Sequence, residues 1–274
     1  MPLMTRKREP EVWTPNPLIG HWLVINIILT VMFCLLATQS PLSYAGSNVE
    51  FTPEQIVEKA DRIRFPSETF QVDVSVTTTA PERDPEIRKY RILSKGNDRT
   101  VLMTTYPEVE RGQVLLMRDD DLWTFLPTLS QPVRMPLSQR LTGQVANGDL
   151  ARANFSGDYN PELLHNEEID GQGYYVLELT AARRGVTYHR VLYWVNQANY
   201  RPYKAQFFTL SGRHMKTAHY NKFEHMEGSD RPTQLVMEDA MREGERSVLV
   251  YSNMHLRDLP DKVFTKQYLN KLDK

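Results

Sequence analysis

The chain has 274 residues, of which 41% are hydrophobic and 24% are charged, and its formal net charge is -1. This composition is typical of a globular protein and excludes a largely disordered chain. The near-neutral charge also argues against nucleic acid as a partner, because contact with a phosphate backbone needs a basic surface. The only cysteine is Cys34.

Residues 1–45 have the three parts of an export signal. Residues 6–8 are basic, residues 23–37 form an almost unbroken apolar run, and small residues lie around Ala45. This order predicts a secretory signal peptide that is cleaved after Ala45, which would also remove Cys34. An N-terminal membrane anchor is the alternative, because the run and its neighbours approach the about 20 apolar residues that a membrane-spanning helix needs.

Residues 46–274 are predicted to form a single domain that begins with a helix. Thr52 suits the N-cap, Pro53 suits the first helical position, and apolar residues then recur at helical spacing as far as Arg64. A closing helix is predicted over residues 261–272, where apolar residues alternate with lysines at helical spacing.

Between these helices the hydrophobic period is two, which predicts β-strands. In residues 70–76, apolar side chains alternate with polar ones, so one face of this strand is apolar. About ten such segments predict an antiparallel sheet, a sandwich or a partial barrel. Residues 139–160 lack this period and predict either short, broken helices or a mobile flap. The other strands are predicted over residues 86–94, 99–106, 113–118, 174–180, 188–196, 203–210, 215–224, 233–240 and 247–255.

Several strands are apolar at every position rather than at alternate ones. Residues 114–117 read Val-Leu-Leu-Met, and residues 191–195 read Val-Leu-Tyr-Trp-Val. Because few helices are available to cover a second face, we expect the sheet to curve around an apolar hollow. Such a surplus of apolar surface needs a ligand or a protein partner to cover it.

The sequence contains no pattern typical of an active site or a metal centre. The histidines are scattered and none belongs to an HExxH motif, although His219 and His225 would share one face of a strand. Neither a GxSxG nucleophile motif nor a phosphate-binding glycine loop occurs. Residues 119–121, three aspartates, are interpreted as a solvated hairpin tip. We therefore expect no catalytic residue, no metal and no cofactor.

Three segments carry motifs of a known family. Residues 121–134 read DLWTFLPTLSQPVR, residues 191–205 contain LYWVN followed by YRPYKA, and residues 155–159 read FSGDY. These segments resemble the LolA-like outer-membrane lipoprotein-sorting family, and the similarity extends over roughly residues 52–271. Two features depart from the family: the long proline-containing N-terminal region and the insertion-like residues 139–160. The resemblance therefore does not identify the cargo.

The resemblance implies a mainly β fold with a few helices, in which a curved antiparallel sheet forms an open, incomplete β-barrel covered by helices. It also implies a periplasmic location and an apolar hollow that holds acyl chains of a lipoprotein or lipid, with neither catalysis nor a metal. A carrier of this kind would transfer its cargo toward the outer membrane. Its partners would be an inner-membrane exporter, an outer-membrane acceptor, or both.

The residues expected to line this hollow follow from strand parity. In this interpretation Trp123 and Phe125 face the hollow, while the first helix and residues 139–160 are candidates for a lid. The alternative is a non-catalytic accessory or interaction subunit of an envelope export system, whose hollow would be filled by its own side chains. The predicted lining residues are Phe70, Val72, Val74, Val76, Met103, Trp123, Phe125, Leu177, Leu179, Trp194 and Phe207.

Overall fold

The computed structural model describes residues 51–152 and 154–272. The predicted signal or anchor segment lies outside the described residues, so its cleavage and the start of the domain at residue 46 stay predictions. Among the described residues, no helix combines the length and the apolar character that crossing a lipid bilayer requires.

The first helix, α1, spans Pro53–Arg64, as the sequence predicts. A capping box fixes its start: the Thr52 hydroxyl accepts from the Gln55 backbone N–H, and the Gln55 side chain accepts from the Thr52 N–H. One face of α1, including Ile56 and Ala60, is almost fully buried. This helix therefore packs against the sheet rather than standing free in solvent.

Strands dominate the rest of the described chain. Two short helices, α2 (Asn147–Ala151) and α3 (Lys266–Leu272), and two 3-10 turns, Glu108–Glu110 and Asp261–Phe264, accompany them. The strands are β1 (Phe70–Ala80), β2 (Arg83–Lys95), β3 (Arg99–Tyr106), β4 (Val114–Arg118), β5 (Asp121–Phe125), β6 (Val133–Met135), β7 (Arg140–Thr142), β8 (Val145–Ala146), β9 (Tyr159–Ile169), β10 (Gln172–Ala181), β11 (Arg190–Asn196), β12 (Pro202–Phe208), β13 (His214–Met226), β14 (Ser229–Asp239) and β15 (Arg246–Leu256).

Thirteen of these strands form one sheet in the order β6-β5-β4-β3-β2-β1-β15-β14-β13-β12-β11-β10-β9. All of its pairs are antiparallel, and only β1 with β15 joins strands that are distant in sequence. The edge strands β6 and β9 do not pair with each other, so the sheet does not close into a barrel. The predicted mainly β fold with an open, incomplete barrel and a few covering helices is confirmed.

An ion pair shows how strongly the sheet curls. The turn between β4 and β5 and the loop between β10 and β11 would lie roughly 40 Å apart in a flat sheet, at about 4.8 Å per strand. Yet Arg183 Nη2 in that loop lies 2.7 Å from Asp120 Oδ1 in that turn. The two halves of the sheet therefore face each other across an enclosed inner face.

The link between the two edge strands runs through this enclosed space. We call residues 136–152 and 154–158, which connect β6 to β9, the inner segment. It contains the small β7–β8 hairpin and α2, and most of its residues from Thr142 to Ala151 are buried. The expected short, broken helix is present as α2, but the segment lies inside the fold rather than over it as a flap.

The buried apolar residues form one large and two smaller clusters. The large cluster joins α1, the inner segment and the inward-facing side chains of most sheet strands. A second cluster lies on the outer face of β2 to β5 beneath the chain end, where Val263, Phe264 and Leu269 cover it. The third lies on the outer face near β10 and β11. Helices therefore cover both faces of the sheet.

Two sequence predictions of local structure differ from the fold. Strand β9 begins within residues expected to be irregular and continues well beyond them. The sequence does not predict this strand, because it contains few apolar side chains to alternate with the polar ones. The closing helix is divided into a 3-10 turn and α3, with Thr265 between them in an extended conformation. Neither difference changes the order of the sheet.

Candidate functional site

Seven of the eleven predicted lining residues lie together on the inner face. Four come from β1, two from β10 and one from β12, and all seven belong to the large inner cluster with at most 5% of their surface exposed. Strand parity predicts the four residues of β1 because the pattern in β1 alternates between apolar and polar positions. The seven are Phe70, Val72, Val74, Val76, Leu177, Leu179 and Phe207.

The other four predicted residues lie on the outer face, away from these seven. Met103, Trp123 and Phe125 pack in the second cluster, where the Lys266 ammonium lies 3.8 Å from the centroid of the Trp123 ring. Trp194 lies in the third cluster. Their strands carry apolar side chains on both faces. Parity therefore assigns alternate residues to opposite faces but does not tell which face turns inward. The structure thus corrects the expectation that Trp123 and Phe125 face the hollow.

The inner segment occupies the space that the sequence analysis assigned to a ligand. Leu137, Val145, Leu150, Phe155 and Tyr159, which begins β9, are all buried in the same cluster as the seven residues. The Phe155 ring packs edge-on against Tyr193, with 5.1 Å between the ring centroids. The hollow is therefore filled by the protein's own side chains in this conformation.

One attachment of the inner segment is a buried carboxylate on α1. Asp61 Oδ2 accepts hydrogen bonds from the backbone N–H groups of Phe155 and Ser156, at 2.9 and 2.7 Å. Asp61 Oδ1 also accepts from Arg64 Nη1 at 3.2 Å. Burial raises the pKa of Asp61 to about 6, although Arg64 and the two N–H donors oppose this shift. The segment is thus tied to α1 by one ionisable group.

A second attachment is a buried lysine on β13. Lys216 Nζ lies 2.8 Å from Asp149 Oδ2 and also donates to the Gln144 carbonyl oxygen, so it holds both ends of the β8–α2 region. Burial lowers the pKa of Lys216, whereas the neighbouring Asp149 carboxylate opposes this shift. The Tyr188 hydroxyl donates to the same carboxylate at 2.8 Å. These contacts fix α2 against the sheet.

Two glycines let the inner segment approach its neighbours. Gly143 has a φ of +49°, and a Cβ there would overlap the side chains of Thr78 and Ser247. A Cβ at Gly148 would overlap Thr187. The positive φ suits glycine, and at both positions only a hydrogen fits against the facing side chain. Both glycines lie in the residues for which a mobile flap is one expectation, and close packing requires them there.

A crevice remains between the inner segment and the sheet. Phe70, Val72, Leu150 and Ala151 line it together with Asn154, whose Oδ1 is buried without a hydrogen-bond partner among the described residues. Its volume is about 20 Å³, which is room for roughly one water molecule. An acyl chain can enter here only if the inner segment moves.

A second, larger opening lies at the other end of the inner segment. This cleft has a volume of about 290 Å³, and residues of β7, β8, β13 and the β14–β15 turn line it. Three arginines, Arg140, Arg213 and Arg242, stand around it, and the buried Lys216 lies at its wall. The inner face is thus reached from two sides of one segment.

Sequence reasoning missed the charges inside the fold. Asp61, Arg64 and Lys216 are each less than 8% exposed, and each occupies a position that would otherwise be apolar. The signal was present, since Arg64 follows Ala60 by four residues on the buried face of α1, and Lys216 shares strand parity with Ala218. A charged residue at a position where the hydrophobic period predicts an apolar one therefore indicates a buried charge that needs a partner.

The described residues offer no group of three or more histidine, cysteine, aspartate or glutamate side chains placed to hold a metal ion. The three aspartates at residues 119–121 do not act together. Asp120 pairs with Arg152 and Arg183, whereas Asp121 pairs with Arg134. Asp120 belongs to the contacts that join the two halves of the sheet, whereas Asp121 joins the neighbouring strands β5 and β6.

Comparisons with known proteins agree with this architecture. A family model described as an uncharacterized protein matches residues 96–271, more than half of the chain. The crystal structure of a LolA superfamily protein from Nitrosomonas europaea is 58% identical and has a TM-score of 0.77, covering 80% of this chain and 99% of that one. No curated protein gives a significant sequence match.

Two more distant structures share the fold. A putative outer membrane lipoprotein-sorting protein domain from Vibrio parahaemolyticus is 20% identical with a TM-score of 0.69, covering 79% of this chain and 97% of that one. A DUF1329 family protein from Desulfovibrio piger is 22% identical with a TM-score of 0.68 and has the same coverage. At these identities the likeness concerns the fold alone.

Proposed function

This chain belongs to the LolA superfamily, and on that premise we propose that it is a non-catalytic periplasmic carrier of acyl chains. The chains of a lipid or lipoprotein would lie against the inner face of the sheet, in place of the inner segment. The cargo would then be transferred toward the outer membrane. The seven inward-facing residues of β1, β10 and β12 are the proposed binding surface.

The observation that carries this proposal is how the inner face is covered. Its apolar stripe is covered by a connecting segment whose β7–β8 hairpin forms no ladder with the large sheet. Polar contacts to Asp61 and Lys216 hold this segment, and both side chains would need water as a partner once the segment leaves, because an unpaired buried charge is costly. An apolar ligand could therefore exchange with the segment without breaking the sheet.

The energies of the two occupants are comparable. Burial of an acyl chain contributes about 0.8 kcal/mol per methylene, so a chain of fatty-acid length gains on the order of 10 kcal/mol. The inner segment buries four large apolar side chains, at about 1.5–3 kcal/mol each, which is again on the order of 10 kcal/mol. Such a balance supports reversible loading, because neither occupant dominates.

The Vibrio parahaemolyticus protein that shares this fold is a putative outer membrane lipoprotein-sorting protein domain, which supports an envelope location for this carrier. We propose an inner-membrane exporter as the donor of the cargo and an outer-membrane component as the acceptor. Both proposals rest on the fold shared with that protein and on the predicted export signal.

A second candidate function is favoured by the filled hollow. An accessory or interaction subunit of an export system would carry no lipid, and its interior would be packed with its own side chains, as the inner segment is here. The two candidates differ in one measurable property, because only the carrier exchanges its inner segment for an acyl chain.

The test compares two valines that are equally buried on opposite faces of the sheet. Val72 on β1 lies in the inner cluster and Val101 on β3 lies in the second, outer cluster, and both are 0% exposed. Replacing either by phenylalanine should destabilise the protein by about 1–3 kcal/mol through overpacking. Only Val72→Phe should weaken binding of a fluorescent fatty-acid probe, by about tenfold or more.

Organic extracts of protein purified without detergent, examined by mass spectrometry, complete the test. The carrier predicts bound lipid in the wild type and in Val101→Phe, and less in Val72→Phe. An accessory subunit predicts no lipid in any extract and no probe binding. Equal probe binding by the two variants would contradict the assignment of the inner face.

A further inference from the structure

The larger opening beside the inner segment has the character of an anion site. The β7–β8 hairpin bounds it on one side, and the start of β13 and the end of β14 bound it on the other. Its lining residues are Ser138, Arg140, Gln144, Val145, Ala146, Tyr188, Arg213, Met215, Lys216, Asp239, Met241 and Arg242. Four of these side chains are cationic and one, Asp239, is anionic.

The single carboxylate that lines the cleft already accepts hydrogen bonds from backbone N–H groups. Asp239 Oδ1 accepts hydrogen bonds from the N–H groups of Met241 and Arg242, at 2.8 and 3.0 Å. Arg140 and Arg213 are exposed, and neither forms an ion pair with another described residue. The cleft therefore has two guanidinium groups with unused donors.

The remaining two cations have partners behind the cleft wall. Lys216 pairs with Asp149 at 2.8 Å, and Arg242 Nη1 pairs with Glu245 Oε2 at 3.3 Å. Four cations line the cleft, and three carboxylates, Asp239, Asp149 and Glu245, lie in it or pair with its cations, so the formal charge of this region remains positive.

The rim of the cleft is apolar as well as cationic. Met241 is 64% exposed and Met215 is 38% exposed, and the buried Val145 and Ala146 form part of the lining. Methionine side chains adapt to irregular apolar ligands. A site that combines free guanidinium groups with exposed methionines suits an amphiphile better than a small inorganic ion.

The cleft and the proposed acyl site lie on two sides of the same inner segment. Residues 144–146 line the cleft, and Leu150, Ala151 and Asn154 of the same segment line the crevice on its other side. Tyr188 lines the cleft while its hydroxyl holds Asp149 of α2. A ligand with its head in the cleft could therefore place its tail where the inner segment now lies.

From this geometry we propose that the cleft binds the phosphate group of an anionic lipid, with Arg140 and Arg213 as its principal ligands. This inference rests on the proposed acyl-carrier function and assigns a headgroup class to the cargo. Guanidinium groups match phosphate because two parallel N–H groups can donate to two of its oxygens. The exposed methionines would contact the first carbons of the acyl chains.

The test uses soluble lipids that share one tail and differ in the head. Dihexanoyl phosphatidic acid and dihexanoyl phosphatidylcholine, each below its micellar concentration, and inorganic phosphate are titrated calorimetrically into the full-length protein. The variants are Arg140→Gln and Arg213→Gln, singly and together, with Arg118→Gln as a matched exposed arginine outside the cleft.

We expect phosphatidic acid to bind more tightly than phosphatidylcholine and far more tightly than inorganic phosphate. A hydrogen bond to a charged group contributes about 1.5–3 kcal/mol, so each cleft arginine should account for about tenfold or more in phosphatidic acid affinity. The phosphate of phosphatidylcholine is a diester whose charge is offset by the choline cation, so its binding should fall less in the same variants. Arg118→Gln should behave as the wild type toward all three ligands.

Three outcomes would overturn the headgroup site. Wild-type affinity of the double variant for phosphatidic acid would remove the arginines from the site. Equal affinity for inorganic phosphate and phosphatidic acid would assign the cleft to free phosphate. Equal affinity for both lipids that neither arginine substitution changes would show that the headgroup does not determine binding, yet it would leave the carrier function standing. The carrier itself fails only if neither lipid nor the fatty-acid probe binds the wild type.

Discussion

The two faces of the sheet are covered in different ways. The outer cover is the chain end, whose Val263, Phe264 and Leu269 bury apolar surface, while ion pairs such as Lys95 with Asp261 remain at the exposed rim. The inner cover is a connection in the middle of the chain, and it is tied down by the buried charges of Asp61 and Lys216.

This difference separates permanent packing from packing that can be exchanged. An apolar cover released into water loses its burial energy, and nothing replaces it. Polar contacts of a released cover are replaced by water where water reaches Asp61 and Lys216, and the main remaining cost is then the apolar area. An acyl chain can supply that area at the inner face. We infer that the inner charges fix the closed position of the segment without locking it.

The largest expected effect comes from removing one phenylalanine from each cover. Phe155 in the inner segment is 6% exposed and Phe264 in the outer cover is 1% exposed. Either alanine variant should lower the free energy of unfolding by about 3–5 kcal/mol, measured by urea denaturation. Only Phe155→Ala should also raise the affinity for the fatty-acid probe. A matching rise in Phe264→Ala would contradict the distinction between the covers.

A somewhat smaller loss is expected from Lys216→Met. This change leaves the Asp149 carboxylate buried without its cation, a defect that typically costs about 3–5 kcal/mol. The lower end of that range is expected here, because Tyr188 and the Ala146 N–H still donate to Asp149. Lys266→Met is the outer control, since its cation–π contact with Trp123 should contribute about 1 kcal/mol or less. Similar losses in both variants would show that the two covers do not differ in their polar contacts.

The pH dependence of stability should reveal Asp61. Its pKa is about 6 in the folded protein against an ordinary 3.8, so the folded state takes up this proton at the higher pH. The resulting stabilisation is fully present below pH 3.8 and is lost as the pH rises through about 6, with a slope of at most about 1.4 kcal/mol per pH unit.

Asp61→Asn should remove this contribution to the slope. Glu58→Gln, on the exposed side of α1, should keep the wild-type slope. Urea denaturation at several pH values between 4 and 7 measures the difference between the two variants. Because burial also raises the pKa of Asp158, both variants retain that second contribution of the same sign. Identical slopes in Asp61→Asn and the wild type would disprove a buried, titrating Asp61.

The smallest effect is expected at the contact that joins the two halves of the sheet. Arg183 is 34% exposed at its side chain and pairs with Asp120 and with the buried Asp158. Because Asp158 keeps Arg152 as a second partner, Arg183→Gln should cost about 1 kcal/mol, and less at high salt. Arg118→Gln, at the end of β4 beside the turn that holds Asp120, should not change the free energy of unfolding measurably. A loss of several kcal/mol in Arg183→Gln would mean that this contact, rather than the inner segment, keeps the sheet curled.

Much of the fold follows from local patterns. The capping box at Thr52 fixes the start of α1, and the alternation from Phe70 to Val76 fixes the inner face of β1. Most other strands were predicted within a few residues of their observed bounds. Strand β9 was missed because it has a free edge and largely exposed side chains, so no alternation of apolar residues marks it.

The candidate site was predictable only in part. Where a strand alternates, parity assigns its lining residues, and seven of the eleven do lie together on the inner face; whether they contact a ligand stays a prediction. Where a strand is apolar on both faces, as at Trp123 and Trp194, parity cannot choose the inner side. The arginine cleft was not predicted, since Arg140 and Arg213 are 73 residues apart in sequence.

The sequence alone determined the strand period, the first helix, the turns and the surplus of apolar side chains, because each depends on residues close together in the chain. The tertiary structure decided which apolar face turns inward, what fills the hollow, and which charges meet. Those depend on the pairing of β1 with β15 and on contacts such as Asp61 with Ser156, 95 residues apart. No local pattern encodes such contacts, since they exist only once the sheet has curled around its own connecting segment.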